Sequence, residues 1–321
     1  RDATLTAATV YSENGGIGIS AGRDVTLTTA EETSHYEMDE WKKKKGTFSS
    51  KTTTTHEASS ATRNVGTALS GDSVNIVAGN DVAIAGSAVV ADNDIRIGAG
   101  NNVTIESVQD TYSEESSYSQ KKSGLSGGFS GGVVSVGYGK SRNNNQSSTD
   151  TTTQVGSAIG SIDGNVAISA GNQMTIAASD IAAGKDIALA AKDIELLARQ
   201  DTVDSQSSQS SKSSGFSVGI TVDPFAAYRA GRDAETANRE DSGSFIGETT
   251  RTVDGIVAGY RAASTPVVLQ ASSHRANSAE NSSTSDARVS QLSAGGNLTL
   301  IATDGSITSQ GAQMSAEGNA V

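Results

Sequence analysis

The pattern Gly-x-Ser-x-Gly, which surrounds the nucleophile of many serine hydrolases, occurs three times in this chain, around Ser126, Ser130 and Ser217. Such a nucleophile needs an apolar strand before it, a helix after it and a histidine within reach. The flanks of all three copies are rich in Ser and Gly, and the histidines lie elsewhere in the sequence. The copies therefore reflect local composition, and we predict no catalytic residue among them.

Aspartate is the second residue type that could do chemistry, because it recurs just before short apolar segments, at Asp24, Asp81, Asp94, Asp186 and Asp193. Stacked carboxylates can bind Ca²⁺, and a polysaccharide lyase would add a base for proton abstraction. Asn, Gln or Gly takes the place of Asp in about half of the copies, and the calcium-binding nonapeptide is absent. We therefore expect these side chains to cap backbone N–H groups at turns, and we predict no metal site and no cofactor.

A cluster of charge and aromatic surface occurs where Trp41 is followed by Lys42, Lys43, Lys44 and Lys45. One interpretation is a solvated hairpin end. The other is a contact with anionic lipid headgroups or lipopolysaccharide, since cationic clusters are attracted to such surfaces. Both interpretations stay open at this point.

An alternation of apolar residues with Gly and Ser begins at Leu125 and Phe129 and continues through Val136 and Tyr138, and a similar segment surrounds Phe216. Strands that face lipid show this pattern. Strands that bury one side on another part of the protein would look the same. The candidate membrane or partner contacts are Trp41, Lys42, Lys43, Lys44, Lys45, Leu125, Phe129 and Phe216.

These residues must be positioned by a repeat, because one short phrase returns along the chain. The phrase is Ala-Gly, one or two turn residues, then apolar-x-apolar, as in Ala78-Gly79-Asn80-Asp81-Val82-Ala83-Ile84. Other copies begin at Ala21, Ala99, Ala170, Ala183 and Ala294. Gly and Asn tolerate the backbone conformations of sharp corners, and repetition at a fixed period indicates a solenoid.

The spacing of the strands gives the period of the solenoid. The first apolar residues are 8 and then 13 residues apart from Val74 through Val82 to Ile95, and each longer gap holds a further apolar stretch. A turn therefore has about 21 residues and three short strands, which describes an all-β fold, a parallel β-helix. A β-sandwich of hairpins is the alternative, but it leaves the constant spacing unexplained.

Three polar excursions interrupt the solenoid. We predict coil blocks at 1–31, 71–106, 161–200 and 292–321, and hairpin arms at 32–70, 107–160 and 201–291. Each excursion is rich in Ser and Thr and bends at a Lys, Gly or Ser tip, which favours long two-stranded arms, with disorder of the tips as the alternative. The third arm also carries patterns typical of helices near 224–240 and 252–264.

Composition excludes several classes of protein. The net charge of −12 argues against a nucleic-acid partner, and the absence of cysteine excludes disulfides and thiolate metal sites. No apolar run reaches the roughly 20 residues of a membrane-spanning helix. Only 4% of residues are aromatic, so small aliphatic side chains must form a narrow core. Because the first ten residues resemble the middle of a repeat and not a signal peptide, we expect a fragment of a longer protein.

The repeated phrase, together with arms bearing Lys122-Ser-Gly-Leu-Ser-Gly-Gly128 and Lys212-Ser-Ser-Gly-Phe-Ser-Val-Gly219, resembles the second filamentous-haemagglutinin repeat region of two-partner-secreted exoproteins. The resemblance covers essentially the whole chain and is strongest to CdiA-type effectors of contact-dependent growth inhibition. It implies a right-handed β-helix in a monomeric filament at the surface of a Gram-negative cell. It also implies secretion through an outer-membrane transporter.

For effectors of that type the resemblance further implies a structural role in which this region acts at the outer membrane of the target cell and helps to deliver a toxin. The alternatives are a passive adhesin stalk and, less favoured, a polysaccharide-active β-helix. No toxin, secretion-signal or receptor-binding domain is recognisable in the chain, and we expect no enzyme activity from it.

Overall fold

The computed structural model describes residues 1–130, 133–221 and 267–321, and every regular element in this part of the chain is a strand. The strands are β1 (Ala3–Thr6), β2 (Thr9–Tyr11), β3 (Ile17–Ala21), β4 (Val25–Thr28), β5 (Ala30–Gly46), β6 (Ser49–Val65), β7 (Ala68–Gly71), β8 (Val74–Ala78), β9 (Val82–Ala85), β10 (Ala88–Ala91), β11 (Ile95–Ala99), β12 (Val103–Glu106), β13 (Val108–Ser130), β14 (Val133–Val155), β15 (Ala158–Ser161), β16 (Val166–Ala170), β17 (Gln173–Ala177), β18 (Asp180–Ala183), β19 (Ile187–Ala191), β20 (Asp193–Leu197), β21 (Arg199–Thr221), β22 (Val267–Arg288), β23 (Ser290–Ala294), β24 (Leu298–Ala302), β25 (Ile307–Gln310) and β26 (Ala312–Ala316).

The short strands form three parallel sheets that wind around one axis. Sheet A has the order β1-β4-β9-β12-β17-β20-β25, sheet B the order β2-β7-β10-β15-β18-β23-β26, and sheet C the order β3-β8-β11-β16-β19-β24. Each turn contributes one strand to each sheet, and Val82 pairs with Val103, one period of 21 residues later. The parallel β-helix that the repeat predicts is confirmed, and the β-sandwich alternative is wrong.

The core of this rod is a narrow column of aliphatic side chains. Sheets A and C each turn two residues per strand inward, for example Val82 and Ile84 in sheet A and Ile95 and Ile97 in sheet C. Sheet B supplies one large residue per turn, such as Val89 or Ile159. Since a side chain in the stack contacts its copies in the turns above and below, each turn is stabilised mainly by its two neighbours.

The corner between sheets A and B takes two forms, which alternate along the rod. In one form a single residue turns the chain with positive φ, at Ala7 (48°), Gly86 (53°), Ala178 (47°) and Gly311 (80°). In the other form, after β4, β12 and β20, the chain leaves the rod as a long antiparallel hairpin and returns to sheet B. The arms therefore all leave from one corner, on every second turn.

The three hairpins pair with each other and form a six-stranded antiparallel sheet of the order β5-β6-β13-β14-β21-β22, which we call the arm sheet. Adjacent strands are about 4.8 Å apart, so a hairpin is about as wide as two turns of the rod are tall. Arms on alternate turns thus arrive at the spacing that strand pairing requires. The sequence predicted separate arms and missed this pairing.

Side chains join the arms where backbone pairing between them ends, near the rod. The N–H of Asn64 donates to Oδ1 of Asp110 at 2.7 Å. One arm further on, the N–H of Gln154 donates to Oδ1 of Asp201 at 2.6 Å. The same kind of residue therefore satisfies the same backbone group at both junctions, as buried amides require.

The arm boundaries need one correction, which is the same for all three arms. The predicted arms end at 70, 160 and 291, whereas β7, β15 and β23 already belong to sheet B. A sheet B strand contributes a single large inward residue, as Leu69 does in β7, so its sequence pattern is weak. The patterns near 224–240 and 252–264 lie outside the described residues. Within the described ranges, no helix is long and apolar enough to cross a membrane.

Candidate functional site

The two described Gly-x-Ser-x-Gly copies lie inside long strands. Ser126 of β13 and Ser217 of β21 both pair with Gly137 of β14, and Ser217 pairs on its other side with Gln270 of β22. These directly opposed residues form one row across the sheet. Neither serine lies at a strand-to-helix turn, and the row contains no histidine. The third copy, around Ser130, extends into 131–132, which lie outside the described residues. The geometry that a nucleophilic serine needs is thus absent from the described copies.

The recurring Asp and Asn residues cap backbone groups, as the turn chemistry predicts. The N–H of Asn165 donates to Oδ1 of Asp94 at 3.0 Å, the N–H of Asp186 to Oδ1 of Asn165 at 3.2 Å, and the N–H of Asn297 to Oδ1 of Asp186 at 2.6 Å. Asp24 and Asp81 do the same at the corner between sheets C and A. A carboxylate and an amide oxygen accept the same bond, which explains why Asn replaces Asp in many turns.

A second ladder, of buried hydroxyls, follows the corner between sheets A and B and was missed by the sequence reasoning. Its members are Thr67, Ser87, Ser157, Ser179 and Ser290. Each hydroxyl donates to a carbonyl at the end of a sheet A strand, as Ser157 does to Glu106 at 2.8 Å. Four of them also accept the N–H of a corner residue in the adjoining turn. The signal that could have found the ladder is a Ser or Thr two residues before the buried Leu, Ile or Val of β7, β10, β15, β18 and β23.

One cluster in the described ranges could hold a metal ion. Ligand atoms of Glu37, Asp39 and His56 lie within 4.8 Å of one another on the first arm. His56 Nδ1 is 2.8 Å from Asp39 Oδ1, and this hydrogen bond raises the pKa of His56 above its ordinary value. The three side chains already satisfy each other as an exposed ion pair with a neighbouring carboxylate, and sequence reasoning did not single them out.

Five of the eight candidate contact residues lie on one face of the arm sheet. In an antiparallel sheet, directly opposed residues share a face and alternate residues along a strand return to it. By this register Trp41, Lys43, Lys45, Leu125 and Phe216 share a face, which we call the contact face. Lys42 and Lys44 lie on the opposite face. Phe129 falls in a contact-face position of β13, but its side chain is outside the described part.

The contact face is apolar at the end farthest from the rod, across the four strands β13, β14, β21 and β22. One row contains Leu125, Tyr138, Phe216 and Ala271, and the next contains Gly127, Val136, Val218 and Leu269. The last row includes Val134 and Val267. The large side chains Leu125, Val134, Val136, Tyr138, Phe216, Val267 and Leu269 are between 43% and 57% exposed. We call these three rows the apolar tip. The opposite face of the same region carries mainly Gly and Ser, so the apolar surface is one-sided.

The rows next to the apolar tip, on the side of the rod, are basic. Lys43, Thr52, Lys121, Arg142, Lys212 and Arg275 form one row of the contact face across all six strands. Lys45 and Lys140 lie in the row between it and the apolar tip. We call these two rows the basic band. Lys140 Nζ is 5.8 Å from the centre of the Tyr138 ring, so the band and the apolar tip are in direct contact.

Comparison with known proteins shows which family model and which curated proteins the chain is similar to. The hemagglutinin repeat model matches residues 1–124, 136–257 and 269–321. Among curated relatives, the tRNA nuclease CdiA of Escherichia coli strain STEC_O31 is 34% identical over 97% of this chain and 10% of its own length. The 16S rRNA endonuclease CdiA of Enterobacter cloacae subsp. cloacae is 35% identical over 94% of the chain and 10% of its own length. Toxin CdiA of Yersinia pestis is 34% identical over 79% of the chain and 8% of its own length.

The chain thus spans about a tenth of the length of these relatives. No solved structure matches it. The nuclease activities in the names belong to proteins far longer than this repeat segment.

Proposed function

Because this chain belongs to the hemagglutinin repeat family, whose members are secreted proteins of the Gram-negative cell surface, we propose that its arm sheet inserts into the outer membrane of a target cell and thereby helps to deliver a toxin. The rod is the structural segment of a large exoprotein, and the arm sheet is the part that acts on the partner membrane.

The observation that carries this proposal is the exposed apolar tip. Soluble proteins seldom expose a contiguous apolar patch of this kind unless it binds something. Leu125, Tyr138 and Phe216 stand side by side in the row nearest the basic band and are about half exposed. Burial of such side chains against acyl chains is favourable, roughly in proportion to the apolar area removed from water.

The dimensions of the arm sheet suit partial insertion. The apolar rows extend over five residues of β13, from Leu125 to 129, and the four steps between them span about 14 Å at the rise of a strand. The hydrocarbon core of a bilayer is about 30 Å thick, so the apolar tip reaches through about one leaflet. Leu125 lies seventeen residues beyond Val108 in β13, which holds the tip about 60 Å from the rod.

The test measures binding of the chain to vesicles made from outer-membrane lipids by flotation. The variant Leu125→Ser with Phe216→Ser should lose most of the bound fraction, because it removes two large apolar side chains from the row of the apolar tip nearest the basic band. The matched control, Tyr11→Ser with Ile162→Ser, removes two apolar side chains that are more exposed but lie on the rod, and it should bind as the parent does.

Equal binding by both variants would contradict membrane insertion and would favour the adhesin stalk, in which the arms make no contact with lipid.

A further inference from the structure

We propose that the basic band binds the phosphate groups of a phosphorylated membrane lipid while the apolar tip enters the acyl chains of the same leaflet. This inference rests on the proposed function and deepens it, because it names the chemical class of lipid that the arm sheet selects.

The first support is a shallow depression in the basic band. It is lined by the cationic residues Lys121, Lys122, Lys140, Arg142 and Lys212, and by the hydroxyl residues Ser50, Thr52, Ser123, Ser141 and Ser214. Ser123 faces Lys140, and Lys140 faces Ser214, so hydroxyls alternate with cations along one row. Ammonium, guanidinium and hydroxyl donors around one concavity form the donor set that binds phosphate oxygens.

The second support is that like charges oppose one another. Lys121 pairs with Arg142, Arg142 with Lys212, and Lys212 with Arg275 across adjacent strands. Like charges directly opposite each other destabilise a sheet. Among the described residues, none of these four side chains forms a salt bridge with a carboxylate. A bound polyanion would relieve this repulsion, so the row is arranged for an anionic ligand.

The third support is the segregation of charge along the arm sheet. The net charge of the chain is −12. In the described strands, however, every charged residue from the row of Lys42 to the end farthest from the rod is basic. These residues are Lys42, Lys43, Lys44, Lys45, Lys51, Lys121, Lys122, Lys140, Arg142, Lys212 and Arg275. On the contact face, acidic residues begin nearer the rod, with Asp39, Glu37 and Glu115.

The spacing between the apolar and basic rows selects a lipid over a nucleic acid. Lys140 lies two residues and Arg142 four residues from Tyr138, which is about 7 Å and 14 Å along the strand. When the apolar rows occupy one leaflet, these cations lie at and just outside the headgroups, which their long side chains can reach. A nucleic acid would use the cations and leave the adjoining apolar tip in water.

The experiment compares the full chain with Arg142→Gln plus Lys212→Gln in vesicles of phosphatidylcholine alone, with diphosphorylated lipid A, and with dephosphorylated lipid A. The parent should bind the phosphorylated vesicles at least 10-fold more tightly than the dephosphorylated ones. The variant should lose that preference, and binding to phosphatidylcholine alone should not change. The matched control, Lys185→Gln plus Lys192→Gln, removes two exposed cations from the rod and should keep the preference.

The outcomes separate this inference from the proposed function. If the parent binds both forms of lipid A equally, the proposed phosphate site is wrong. The same holds if the Arg142 and Lys212 variant and the Lys185 and Lys192 control show the same preference. In either case, loss of binding by the Leu125 and Phe216 variant still supports insertion. The inference is also overturned if the basic band binds single-stranded DNA and the chain does not bind vesicles that contain phosphorylated lipid A. Lys121→Gln plus Lys140→Gln provides a second variant, and circular dichroism confirms folding.

Discussion

At the scale of the residue, the rod depends on oxygen atoms that accept backbone N–H groups at its corners. Asp94 accepts from both the N–H and Nδ2 of Asn165, at 3.0 and 3.1 Å. These bonds, led by the backbone one, lower the pKa of Asp94 below its ordinary value of 3.8. A second acceptor type, the buried hydroxyls from Thr67 to Ser290, performs the same task at another corner. Neither set needs a metal or a catalytic role to explain its recurrence.

We predict that Asp94→Ala lowers the free energy of unfolding by about 1 kcal/mol, since net hydrogen bonds contribute that order, whereas Asp94→Asn retains the acceptor and costs less. Because the folded pKa of Asp94 is depressed, its charge stabilises the fold above the unfolded pKa of 3.8, and this contribution is lost as the pH falls through the lower folded value. Urea denaturation between pH 2 and 7 measures both effects. A stronger acid dependence in Asp94→Asn than in the parent would contradict the assignment.

At the scale of the element, the arms and the turns of the rod share one spacing. The hairpins that start after β4, β12 and β20 are separated by the turns β9–β11 and β17–β19, which have no arm. Because two strand spacings equal two rises of the rod, β6 meets β13 and β14 meets β21 in continuous register. The rod therefore sets the pairing of the arms.

We predict that excision of the second arm leaves the rod intact but separates the other two. The variant deletes 108–156 and replaces Ser107 with Gly, so that Glu106 joins Ser157 through the one-residue corner seen at Gly86. Hydrogen exchange should stay slow in β12 and β15. It should become fast for those amides of β6 and β21 that bond to the second arm, because β6 and β21 are then about 14 Å apart and cannot pair with each other. If β6 and β21 stay protected, the rod does not set the arm spacing.

Most of the rod could be predicted from the sequence, because its period is local and strongly marked. Val82 and Val103 carry the same phrase and pair directly. The sheet B strands that follow the arms, β7, β15 and β23, were placed within the arms, since large apolar residues such as Leu69 and Ile159 are isolated within polar sequence. The arm sheet could not be predicted, because the pairing of Lys121 with Thr52 depends on the height at which each arm leaves the rod. For the same reason Trp41 and Leu125 were found as separate candidates and not as one face.

At the scale of the whole molecule, the chain is a one-dimensional stack with a lateral sheet. The inward residues of the middle turns are fully buried, as at Ile194, whereas Ile307 and Met314 in the last turn are nearly half exposed. Stability is thus shared between neighbouring turns and not concentrated in one central core. Among the described residues, the acidic rod and the basic distal part of the arm strands also divide the charge, which the net value of −12 conceals.

We predict that Val82→Asp damages the rod locally. The substitution places a carboxylate without a partner in the aliphatic column, which costs several kcal/mol. Hydrogen exchange should accelerate in β4, β9 and β12 and change little in β24, because coupling passes only between adjacent turns. Ala83→Asp, next to it in β9 but on the outward side, should have little effect. Equal acceleration throughout the described strands would point to one cooperative core.

The alternation of plain and arm-bearing corners also constrains how such a gene can change in length. Recombination that removes one coil between two hairpins would force strands of the two hairpins into the same space. An added coil would leave a gap one strand wide between neighbouring hairpins. Only exchanges of paired coils keep the lateral sheet closed. The heritable unit of this architecture is therefore a doublet of coils with its hairpin, roughly twice the repeat that the sequence first suggests.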